Sequence, residues 1–82
     1  MKDAVTDRMP GPLDGSQLLD LYFLEMRCHL LEVAAGLDRI QRASGAEAAM
    51  GDGRVVKLRR ALDILGSSTA DRAERFLNLF SE

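Results

Sequence analysis

Ser16–Ala43 reads SQLLDLYFLEMRCHLLEVAAGLDRIQRA. In it Leu19, Tyr22, Met26, Leu30, Val33, Leu37 and Ile40 recur at steps of three and four. On a helix of about 3.6 residues per turn this is one unbroken apolar stripe. At about 1.5 Å per residue the helix runs roughly 40 Å, the length of both later apolar segments laid end to end. The stripe is too long for those segments to cover, so a partner surface is implied, and Phe23 joins the residues expected in it. Leu24, Cys28, Leu31 and Ala35 form a second apolar strip. A helix apolar on two sides is expected between two neighbours, one from its own chain and one from a second copy. Cys28 on this strip is expected to be a small core residue. Gly36 costs about 1 kcal/mol relative to Ala inside a helix, so it marks either a close crossing or a bend.

Local signals bound the elements. Residues 1–15, with Pro10, Pro12, Gly11 and Gly15 among mixed charges, read as a mobile arm before a helical domain over 16–82. Asp14 or Ser16 is placed to accept the first free amides of a helix over 16–43, and with Asp14 as the cap Gln17 stands three residues on, where a capping box needs it. Ser44 to Gly53 carries three glycines and reads as a loop, in which the Ala-rich piece Ala46 to Met50 has the alternative of adding a turn of helix. Val55, Leu58, Leu62 and Leu65 then give a second helix over 54–65, capped by Asp52 and stopped by Gly66. Ser68 with Asp71 suggests the next cap, for a third helix over 70–80 that carries Ala73, Phe76, Leu77 and Phe80 toward the core. The fold class expected is all-α: one long helix followed by two shorter ones, a small bundle completed by homodimerisation.

Length sharpens the need for a partner. A chain of 82 residues buries only about 60 to 65% of the surface its unfolded form exposes, so its core is marginal without a staple or an oligomer. One cysteine closes no intrachain disulfide, and no Cys or His pair stands at zinc spacing. A net charge of −2 provides no general attraction to nucleic acid or an anionic membrane. No apolar run reaches a membrane span and the first residues lack a secretory pattern, so a cytoplasmic location is expected.

Three groupings bear on chemistry. Glu25, His29 and Glu32 share a helix face within about 60° of one another, and carboxylate and imidazole donors suit iron, manganese or zinc. Two-fold pairing would bring six such groups together. In di-iron carboxylate bundles a Glu and a Glu-x-x-His pair come from facing helices; here the spacing is Glu-x-x-x-His with a single histidine, so that pattern is not met. No organic cofactor is indicated, and a divalent metal only through this cluster. Its plainer reading is an exposed edge where two carboxylates flank a histidine. Arg54, Lys57, Arg59 and Arg60 give the second helix a local charge of +3, four cations against Asp63. The helix after Gly66 opens with Asp71, Arg72 and Glu74 and offers no early Asn or Gln for adenine, so these charges read as a solvated face rather than a nucleic-acid reader. Cys28 and His29 point about 100° apart as helix neighbours, too far to act as a thiolate pair. Near the end of the first helix, Arg39 and Arg42 complement the dipole and Asp38 is placed to pair with Arg42.

With no catalytic constellation, an interaction or structural module is expected rather than an enzyme. It would self-associate through the long helix and bind a larger protein partner. A metal-binding bundle using Glu25, His29 and Glu32 is the alternative.

Overall fold

The structure, a computed structural model, describes residues 12–81. It is all-helical, with α1 Gly15–Arg42, α2 Ala46–Met50, α3 Gly53–Leu65 and α4 Arg72–Phe80, and no strand among the described residues. The chain divides into two compact units within α1, the first ending at Ala35 and the second beginning at Gly36. Of the arm expected over 1–15, residues 1–11 lie outside the described residues; Pro12 to Asp14 precede the helix and Gly15 opens it.

The caps explain why α1 and α3 start where they do. Asp14 Oδ1 accepts from the Gln17 amide at 2.9 Å while Gln17 Oε1 accepts from the Asp14 amide at 2.9 Å, a reciprocal box that satisfies two amides the helix cannot reach. Asp52 Oδ1 accepts from the Arg54 amide at 2.8 Å and from Arg54 Nε at 2.9 Å. Those bonds, the guanidinium first, hold the Asp52 carboxyl down at about 2 against an ordinary 3.8. Its contribution is therefore complete above about pH 4 and drains away as pH falls toward 2. Asp52→Asn is expected to lower the melting temperature at pH 7 and to lower it much less near pH 2, as thermal melts at the two pH values will show.

Between these helices the expected loop holds a third short element, so three helices follow α1 rather than two. Gly45 takes φ 78°, a left-handed conformation costly for residues with a Cβ, and it turns the chain directly into the five residues of α2. Gly36 carries α1 onward, and a Cβ there would meet nothing within 4 Å. No close crossing within the described chain needs that glycine. Gly36→Ala is expected to stabilise the helix by about 0.5–1 kcal/mol, read as a higher melting temperature.

The second unit packs α3 against both α2 and α4. Its buried residues are Val55, Ala61 and Leu79, the whole buried core among the described residues. This corrects the expected faces. On α3, Leu62 and Leu65 are exposed, while Ala61 is buried and Ile64 half-buried; a helix flanked by two neighbours turns a broader arc inward than one heptad seam. On α4, Leu77 is 66% exposed and Leu79 takes the inward place, with the Phe76 and Phe80 rings 4.8 Å apart beside it. Ala73 and Phe80 are also exposed. The α4 start differs as well. Ser68 is not its cap: Asp71 occupies that position without a side-chain cap bond, because its carboxylate accepts the Thr69 hydroxyl at 2.7 Å instead. That bond, with Arg75 and Arg72 nearby, holds the Asp71 carboxyl below its usual range.

Candidate functional site

The feature that dominates the surface is α1. Across its 28 residues none is buried, and the first unit leaves Leu19, Tyr22, Phe23, Met26, Leu30 and Val33 exposed in one stripe, Leu30 by 53%. Large apolar side chains scattered singly over a surface are ordinary, whereas a contiguous run of them marks a contact site. Leu37 and Ile40, the last two members of the stripe read from the sequence, belong to the second unit. Leu37 is half-buried, and Ile40 lines an open hollow of about 370 Å³ with Ala49, Asp52, Arg54, Val55 and Leu58. The part of the stripe that lies in the first unit is therefore Leu19 to Val33, while Ile40 in the second unit is exposed by 36%. The second strip is equally bare: Cys28, expected in a core, is exposed, and Leu24 is 65% exposed.

Polar edges separate these faces. His29 Nδ1 lies 3.5 Å from Glu32 Oε1, both side chains largely in solvent, the ordinary i to i+3 neighbour geometry of a helix surface. Glu25 does not join them, and no set of three or more His, Cys, Asp or Glu side chains among the described residues is arranged to hold a metal ion. In solvent, such a pair contributes a few tenths of a kcal/mol.

Arg54 is engaged by Asp52, Lys57 is half-buried, and Arg59 and Arg60 are exposed. A polar latch that sequence reading missed lies at the α3–α4 turn. Arg72 donates through Nε at 2.9 Å and through Nη2 to the Ser67 carbonyl, and Arg75 Nη1 reaches the Ser67 and Thr69 hydroxyls at 3.1 Å each. These contacts span five to eight residues across the turn, so no periodicity signals them; two arginines one turn apart after a Ser-Ser-Thr run are the only sequence trace. They fix where α4 begins and leave Arg72 and Arg75 engaged within the turn. At the end of α1, Arg39 and Arg42 stand in the last turn, but Asp38 and Arg42 form no ion pair.

Among the described residues no helix is long and apolar enough to cross a membrane. The chain matches no protein-family model, no curated protein and no solved structure.

Proposed function

We propose that this protein is a small helical interaction module whose function is self-association through α1, with Leu19, Tyr22, Phe23, Met26, Leu30 and Val33 as the contact residues and a larger protein as a further partner. The observation that carries this reading is the disproportion between a 28-residue helix with no buried residue and a core of three. Each large apolar side chain fully removed from water contributes about 1.5–3 kcal/mol. Six half-exposed ones from each of two copies yield on the order of 10 kcal/mol, within the range of about 4–15 kcal/mol that association itself costs. The pairing is thus expected to be reversible and concentration-dependent rather than permanent.

Light scattering on the full chain tests this. A mass above the 9.0 kDa of one chain at micromolar concentration, falling on dilution, is expected; a constant 9.0 kDa with an unchanged cooperative melt overturns it.

A further inference from the structure

α1 carries two apolar faces. Along the stripe, Leu19, Tyr22, Met26, Leu30, Val33, Leu37 and Ile40 recur at steps of three and four, with two fours in succession between Tyr22 and Leu30. On the other side Leu21, Leu24, Cys28, Leu31 and Ala35 alternate steps of three and four strictly, the seven-residue repeat of a coiled-coil seam. At about 100° per residue the two faces lie roughly back to back, so no single neighbouring helix covers both. Every large member of the seam is exposed, Leu24 the most of any apolar residue on α1.

We propose that this seam is a second self-association surface, on which α1 of a further copy lies parallel and in register. The proposal rests on the reading of α1 as a self-associating helix and adds a separate face to it. With Leu21, Cys28 and Ala35 at the first core position of each heptad and Leu24 and Leu31 at the second, the flanking residues are Asp20 and Arg27 on one edge and Glu25 and Glu32 on the other. Such flanking charges set partner orientation. In a parallel pair each Arg27 meets Glu32 of the other copy, twice by symmetry, against a like-charge contact of Asp20 with Glu25 one heptad earlier. An antiparallel pair brings equal edges together. Of its two registers that keep Leu24 and Leu31 covered, one sets Arg27 on Arg27 and Glu25 on Glu25, and the other sets Glu25 on Glu32 along both sides. Only the parallel arrangement covers all five seam residues with an opposite-charge contact.

Parallel registry places Cys28 opposite Cys28, which makes the proposal directly testable. Diamide, which takes up the two thiol hydrogens as the disulfide forms, is added to the full chain at micromolar concentration, native and unfolded in urea. The native chain is expected to form the Cys28 disulfide dimer at least about tenfold faster, because pairing raises the local thiol concentration. Arg27→Glu is expected to slow that reaction, and Arg27→Glu with Glu32→Arg to restore it. Leu24→Gln with Leu31→Gln is expected to abolish it and to lower the assembled mass, whereas Met26→Gln with Leu30→Gln, on the opposite face, lowers the mass and leaves the cross-link. Native cross-linking no faster than in urea overturns the seam, as does an exchanged Arg27–Glu32 pair that fails to restore it. A lower mass in the Met26 and Leu30 variant alone, with no rapid cross-link, removes the seam and keeps the stripe. A wild-type mass of 9.0 kDa throughout removes both.

Discussion

Leu30→Glu is expected to run at a lower mass than the wild type at the same concentration, with only the seam on the opposite face left to join copies, and to lose helix signal together with mass. Leu30 stands midway along the free stripe and is half exposed in the isolated chain, so within one chain the substitution removes almost no packing. Any large effect must then come from what covers Leu30 in the assembly. A carboxylate enclosed there without a partner costs several kcal/mol, and two symmetric copies double the cost, lowering affinity by on the order of a thousandfold or more. Leu30→Ala is the graded control: about 2–5 kcal/mol if the site is fully enclosed on assembly, and next to nothing for an uncovered helix, where Ala is the better helix former. Helicity is the linked readout. A helix of this length with no tertiary cover is marginal in water, and most helical stability in proteins comes from packing an amphipathic face. The α1 circular-dichroism signal of the wild type should therefore fall on dilution in step with its mass, while Leu30→Glu should show a lower signal than the wild type at the same concentration. A variant that keeps the wild-type mass takes the stripe out of the interface.

The parts of this fold legible in the sequence are those that local physics decides. The α1 and α3 starts follow from side chains that satisfy amides two and three residues away, Asp14 with Gln17 and Asp52 with Arg54, and the long stripe fixes the helix between its ends by repetition. The short α2 is signalled only by its Ala-rich composition between glycines, because five residues are too few to show a period. The α4 start was obscured by competition: Ser67, Ser68, Thr69 and Asp71 are all capping types, and the choice was settled by the Thr69 to Asp71 bond and by arginines reaching back across the turn. The faces of α3 and α4 differ from the expected ones because burial there depends on which neighbours each helix meets, and it is Ala61 that is buried while Leu62 and Leu65 stay exposed. At the candidate site, the His29–Glu32 contact follows from spacing alone. Whether α1 is covered does not follow from spacing, since that depends on molecules other than this chain.

The second large effect separates the two units. Ala61 is 3% exposed and belongs to the face of α3 that packs on its neighbours, so Ala61→Glu must place a longer side chain and a charge where neither fits. Overpacking alone costs about 1–3 kcal/mol, and an enclosed unpaired carboxylate adds several more. At roughly 0.05–0.15 kcal/mol per residue, a unit of under fifty residues has only about 2–7 kcal/mol of stability, so the substitution is expected to unfold the α2–α4 region outright. The loss should appear as a missing thermal transition and the collapse of the phenylalanine near-ultraviolet signal from Phe76 and Phe80. Arg60→Glu, one residue earlier on the exposed side, makes the same chemical change without burial and should leave the melt within about 0.5 kcal/mol of wild type. Because the contact residues Leu19 to Val33 all lie before the second unit begins at Gly36, Ala61→Glu should leave the assembled mass above 9.0 kDa. If the mass falls with the melt, α1 pairs only when the helices that follow it are folded, and the contact surface must then be extended from Leu19–Val33 into the second unit.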